Sequence, residues 1–154
     1  MTLLTTAEIS TLVSSDFKCN DDTKVIIHPF SEKCITNLGY DLRVGNYYTT
    51  SELNHQIKLD AGQKIVINPK STALIESLEH VKMPMALNII GLVKSQSKFK
   101  SKSFTYLSTI IEAGWNNTIL ISVYNHSNEK IELNHGDNLC TITFLDINQP
   151  QKYV

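Results

Sequence analysis

The sequence predicts an all-β domain (a sandwich, jelly roll or barrel) with one short helix at its start. Three observations carry that expectation. Runs rich in branched and aromatic residues recur at spacings of roughly 8–12 residues, separated by Gly, Pro, Asn or Asp. Within several of them apolar and polar residues alternate, the period of a strand with one buried face. Helical periodicity is confined to the beginning of the chain, so the regular strand–helix alternation of a βαβ fold is missing.

The elements follow in order. Thr5 and Glu8 stand at capping-box spacing, and Leu4, Ile9, Leu12 and Val13 form one apolar face of the opening helix. "KVIIHPF" is a short branched run stopped by Pro29, and "NLGYDLRVGNYY" alternates around two glycines. "QKIVINP", "TALIES", "ALNIIGLV", "NTILISVYN", "KIELN" and "NLCTITFLD" complete the set of expected strands. In "NTILISVYN", Ile119, Ile121 and Val123 share a core face. Thr118, Leu120, Ser122 and Tyr124 share the other, a mixed face suited to a strand bordering a cavity or a subunit interface. One domain spanning 1–154 is expected, with a polar, peripheral tail after residue 146.

Composition narrows the function classes. The chain is 42% apolar and 19% charged, ordinary for a globular protein, and its net charge of −1 gives no global pull toward nucleic acid or membrane. No apolar run approaches the ~18 residues of a membrane-spanning helix. The start "MTLLTTAEISTLV" lacks the basic region of a signal peptide, so a cytoplasmic protein is expected. Cys19, Cys34 and Cys140 are scattered without a C-x-x-C pair. His28, His55, His80, His126 and His135 show no ligand spacing, so reduced thiols and no zinc site are expected. Zinc-dependent deaminase chemistry is thereby excluded.

The segment "VKSQSKFKSKSF" places Lys98, Lys100 and Lys102 at every second residue, with Lys94 upstream and serines between. In an extended chain these lysines share a face that can hold phosphate oxygens, or serve as a solvated basic edge that blocks strand-to-strand aggregation. The Gly-rich P-loop pattern is absent. Overall neutrality and few interleaved aromatics beyond Phe99 and Phe104 argue against nucleic-acid binding.

Taken together, the segments resemble the dCTP deaminase and dUTPase superfamily, its deaminase branch more closely. "LTTAEI" looks like that branch's opening helix, and "NLGYDLRVGNYY" is similar to its S-x-D-x-R-L-G-N-x-F element. "LDAGQKIVINPKSTALIESLEHVKMPMAL" resembles its central strand pair, and "KSQSKF" stands where the family has R-S-S-x-x-R. "IEAGWNNTILISVYN" stands at I-D-P-G-W-x-G-x-I-x-L-E-F-x-N, and "LNHGDNLCTITF" resembles the last hairpin. The resemblance implies a distorted jelly roll (the dUTPase-like β-clip), a homotrimer, and nucleotide sites between subunits. It also implies Mg²⁺ arriving with a nucleoside triphosphate. In the deaminases a glutamate after the G-W turn moves protons so that water attacks cytosine, and in dUTPases an aspartate before the turn orients the water.

Carried over residue by residue, the site looks eroded. The catalytic glutamate falls on Ser122, whose hydroxyl cannot shuttle protons at neutral pH as a tuned carboxylate can. The first arginine of R-S-S-x-x-R falls on Lys94, the serines on Ser95 and Gln96, and the second arginine on Phe99. Lys94 keeps a charge without the bidentate fork, and Phe99 keeps neither. The aspartate falls on Glu112 and the proline on Ala113, while Gly114 and Trp115 match. Of the tail that covers the phosphates, "QKYV" supplies at most Lys152 and Tyr153.

The implied nucleotide contacts are Lys94, Ser95, Gln96, Lys98, Trp115, Leu120, Ser122 and Lys152, with Glu112 as the candidate catalytic base. Standard dCTP deamination is then expected to be lost. Three functions stay open: a diverged nucleotide binder, an active triphosphate hydrolase or deaminase, and a non-catalytic structural trimer.

Overall fold

A computed structural model describes residues 1–16, 18, 21–60, 62–85, 88–95, 104–107 and 109–147. It is a β structure with one helix, α1 (Thr6–Leu12), as the sequence predicts. Thr5 caps that helix: its N–H and its hydroxyl both donate to Glu8 Oε2, each at 2.8 Å. Ile9 and Leu12 are the buried pair on its inner face.

The strands are β1 (Thr2–Leu3), β2 (Val13–Ser14), β3 (Val25–His28), β4 (Ile35–Thr36), β5 (Gly39–Thr50), β6 (Ile57–Lys58) and β7 (Lys64–Ile67). They continue with β8 (Thr72–Lys82), β9 (Ile89–Ser95), β10 (Phe104–Tyr106), β11 (Thr109–Ile111), β12 (Asn116–Asn125), β13 (Ile131–Asn134) and β14 (Asn138–Asp146). Among the described residues β7 and β13 form a separate pair, and the other strands join in one continuous sheet.

β5 makes that continuity possible. Its first part pairs with β14, Tyr40 opposite Ile142 and Leu42 opposite Cys140. Its second part pairs with β8, Val44 opposite Ser77 and Thr49 opposite Leu74, with an irregular stretch between Val44 and Tyr48. One half of the sheet therefore runs β11-β9-β14-β5 and the other β10-β12-β8-β5. Tyr40, Leu42, Ile142 and Phe144 from the first half meet Ile75, Ile119 and Ile121 from the second in a single core cluster. Each such side chain contributes about 1.5–3 kcal/mol by leaving water. Gly45 sits where β5 presses on β8: a Cβ there would lie 2.6 Å from the Ser77 carbonyl oxygen and 2.7 Å from that of Glu76. Gly45→Ala is expected to cost about 1–3 kcal/mol, read as a lower urea midpoint with an unchanged slope.

Buried polar groups join the halves. Glu79, fully buried, accepts from Arg43 Nε at 2.6 Å and from the Arg43 backbone N–H at 2.8 Å. Arg43 Nη2 also donates to the Pro29 carbonyl at 2.9 Å. Burial pushes the Glu79 carboxyl above the usual carboxylate range, and the two Arg43 hydrogen bonds oppose that rise. Ser77 Oγ donates to the Glu79 carbonyl at 2.7 Å and accepts from the Ile119 N–H at 2.9 Å, which extends the chain of bonds to β12. At the end of β12, buried Asn125 Nδ2 donates to the carbonyls of Ile67 (3.0 Å), Asn68 (3.1 Å) and Glu129 (2.8 Å). Its Oδ1 accepts from the Ser127 N–H at 2.9 Å and the Ser127 hydroxyl at 2.7 Å.

Cys34 and Cys140 are free and buried, and desolvation raises the Cys140 thiol far above its ordinary range, which keeps it inert. Cys19 lies outside the described residues. Among the described residues no helix is long and apolar enough to cross a membrane.

Candidate functional site

The turn between β11 and β12 is locked by backbone bonds. The Gly114 N–H donates to the Met83 carbonyl at 3.2 Å, and the Met83 N–H to the Trp115 carbonyl at 2.7 Å. The Trp115 N–H reaches back to the Glu112 carbonyl at 3.3 Å. Gly114 adopts φ +79°, the left-handed region where a side chain is strained, and an added Cβ would run into the Met85 sulfur. The Trp115 indole is fixed by Nε1–H donating to the Asn117 carbonyl at 3.0 Å.

Beyond the turn, β12 alternates as its sequence predicts. Ile119, Ile121 and Val123 are buried, Leu120 is exposed, and Thr118, Ser122 and Tyr124 are half-buried on the outer face. Between this face, β11 and β8 lies an open groove of about 350 Å³. Gln56, Glu76, Thr109, Asn117 and Thr118 supply its polar lining, and Ile110, Trp115 and Leu120 the larger apolar part. Leu74, Leu107, Ile110, Trp115 and Leu120 are all exposed large apolar side chains.

The residues singled out from the sequence are distributed as follows. Trp115 and Leu120 line the groove. Ser122 is farther along β12, opposite Leu74 of β8, and its carbonyl accepts from the Leu107 N–H at 3.1 Å. Glu112 is exposed at the turn, between Ile111 and the turn glycine, and is not among the described lining residues. Lys94 and Ser95 end β9, half-buried, opposite Thr141 and Cys140 of β14 in the other half of the sheet. Gln96, Lys98 and Lys152 fall outside the described residues, as do Phe99, Lys100, Lys102 and Tyr153.

Sequence reasoning passed over Glu76. This half-buried carboxylate stands on β8 opposite Leu120, and its Oε1 accepts from the Thr118 hydroxyl at 2.7 Å. The signal was present: alternation in "TALIES" puts Glu76 on the face away from Ala73 and Ile75. Its value became visible only with the strand register. Among the described residues no group of three or more His, Cys, Asp or Glu side chains is arranged to hold a metal ion.

The sequence matches the family described as dCTP deaminase-like over residues 4–147. The chain belongs to that family. Among curated relatives, the dCTP deaminase of Pyrococcus horikoshii is 33% identical over 129 residues, 84% of this chain and 80% of that protein. A probable deoxyuridine 5'-triphosphate nucleotidohydrolase of Sulfolobus islandicus rod-shaped virus 1 is 25% identical over 142 residues, 92% of this chain and 82% of that one.

Solved structures support the same family fold. A 2'-deoxycytidine 5'-triphosphate deaminase from Agrobacterium tumefaciens aligns with a TM-score of 0.71 at 14% identity, over 92% of this chain and 47% of that chain. This chain thus spans about half of that longer one. The dUTPase of phage phi11 of S. aureus, described with a structural Mg(II) ion, aligns with a TM-score of 0.60 at 18% identity, over 85% of this chain and 95% of that one. At these identities the likeness speaks for the fold, a dUTPase-like jelly roll with a short N-terminal helix.

Proposed function

We propose that this chain is a diverged, cytoplasmic, nucleotide-handling member of its family, one that binds (deoxy)nucleoside triphosphates and does not deaminate dCTP through an acid on β12. The observation that carries the reading is Ser122. It occupies the position at which the family resemblance calls for a glutamate, and its cross-strand neighbour is Leu74, so the facing strand position offers no carboxylate in its stead. A hydroxyl flanked by an aliphatic side chain cannot hold and return a proton at neutral pH.

Binding is supported by the groove itself. Its volume and mixed lining suit a nucleoside, with an indole and aliphatic walls for the base. Exposed Leu74, Leu107 and Leu120 beside it are the surface a neighbouring subunit of a trimer would cover. Lys94, Ser95, Gln96, Lys98 and Lys152 then serve the triphosphate, and Mg²⁺ comes in on the phosphate oxygens. A second reading, triphosphate hydrolysis with Glu112 as base, is favoured by its place between Ile111 and Trp115, both of which line the groove.

The test is to incubate the purified protein with each common dNTP and NTP plus Mg²⁺, separate the products by chromatography, and titrate binding on the same samples. We expect at least one triphosphate to bind and dCTP to yield no uracil nucleotide. Uracil nucleotide formed from dCTP would overturn the account of Ser122. A monophosphate and pyrophosphate would move the assignment to the Glu112 hydrolase. Failure of every nucleotide to bind would leave a scaffold trimer.

A further inference from the structure

We propose that Glu76 is the specificity-determining residue of the groove, and that it selects a nucleobase carrying an exocyclic amino group over one with a carbonyl at the same place. The inference rests on the nucleotide-binding reading and goes further by naming the residue that chooses the base.

Three donors around Glu76 are already committed, while the amides of Gln56 and Asn117 and the Thr109 hydroxyl also belong to the lining. Trp115 Nε1–H is spent on the Asn117 carbonyl at 3.0 Å, the Thr118 N–H on Asn117 Oδ1 at 2.8 Å, and the Thr118 hydroxyl on Glu76 Oε1 at 2.7 Å. The lining contains no Lys, Arg or His among the described residues, and Glu76 is its one carboxylate. The bond from Thr118 holds the carboxylate by one oxygen. The second oxygen has no hydrogen-bond partner among the described residues. A ligand seated against Glu76 meets an acceptor, and an N–H group is what satisfies it. It cannot place its phosphates against Glu76, because like charges would face each other without a cation between them.

A nucleobase fits these conditions by its edge. Ile110, Trp115 and Leu120 offer apolar surface to its faces, while Glu76 meets its rim. Cytosine and uracil make the controlled comparison, since one presents an amino donor where the other presents a carbonyl acceptor, and a carboxylate accepts from that cytosine amino group. A carbonyl set against Glu76 would leave two acceptors in contact at that position, and uracil would have to shift to offer its ring N–H instead. The expected preference is on the order of ten- to a hundredfold. The residue sits on β8, separate from Ser122 and Glu112, so discrimination by Glu76 does not require deamination.

The test measures affinities of the full chain for imido analogues of dCTP and dUTP by calorimetry, so that turnover cannot blur the ratio. Wild-type protein should prefer the cytosine analogue. Glu76→Gln is nearly isosteric and half-exposed, and its amide can donate to a carbonyl, so the preference should vanish or reverse while the far-ultraviolet spectrum stays unchanged. Thr118→Val, which keeps the carboxylate and frees its orientation, should reduce the preference part of the way. Equal affinity for both analogues, tighter binding of the uracil analogue, or an unaltered ratio in Glu76→Gln would overturn the proposal and leave nucleotide binding standing. Failure of both analogues and of the wider triphosphate panel to bind would overturn both.

Discussion

Arg43→Ala is expected to destabilise the fold by about 3–5 kcal/mol, the loss seen when one partner of a buried pair is removed and the other is left charged. For a domain of this size that corresponds to a melting temperature lower by roughly 6–20 °C. Glu79 has no exposed surface; the truncation removes the guanidinium charge and its Nε bond and leaves only the backbone N–H of residue 43 on the carboxylate.

The pH dependence has a definite sign. Burial already holds Glu79 above the carboxylate range, and loss of the guanidinium removes the group that pulls it down. A carboxyl whose folded value is raised favours the folded state in its protonated form below the unfolded value, and that advantage is lost as pH rises through the folded value. The deficit of the variant should therefore be largest near neutral pH and shrink toward about pH 5, where the unfolded carboxyl begins to take up protons. Arg43→Lys should recover part of the loss, since it restores charge without the fork. Calorimetric melts across that range check this, and a deficit independent of pH would show that Glu79 is not its source.

Asn125→Asp, a change of one atom's identity, is expected to cost about 3 kcal/mol or more. The Nδ2 group it replaces donates to three carbonyl oxygens, from Ile67, Asn68 and Glu129. An aspartate would turn an acceptor toward all three while keeping the Oδ1 bonds from Ser127. Asn125→Ala loses these bonds and the two from Ser127 as well, but leaves space and no buried charge, so it should be the milder change. Urea denaturation of both variants decides the point: alanine as damaging as aspartate would mean that shape, not polarity, matters there.

Much of this fold is legible in the sequence. Period-two alternation gave the buried face of β12, and Thr5 with Glu8 announced the helix start. The strand run in the sequence ends at Ser77, whereas β8 continues to Lys82. Ser77 and Glu79 occupy core-facing positions and are polar, which breaks an apolar pattern. Their partners, Arg43 and the Ile119 N–H, lie on other strands. The three-residue strands β10 and β11 are too short to show a period. Glu76 was legible as an outward side chain, but its neighbours Thr118 and Leu120 are supplied by pairing across more than forty residues of sequence. Lys94 follows Val93, which pairs with Thr109 on the β11 wall of the groove, a closeness that spacing along the chain does not disclose.

The division of β5 between two partners also bears on how the protein opens. Gly39–Thr50 is hydrogen-bonded to β14 at one end and β8 at the other, so neither half of the sheet can peel away without releasing a strand the other needs. Backbone amides in Tyr40–Leu42 and in Ile75–Ser77 should accordingly exchange with solvent deuterium at one common, global rate, while the β7–β13 pair, whose ladder joins no other strand among the described residues, exchanges through smaller local openings.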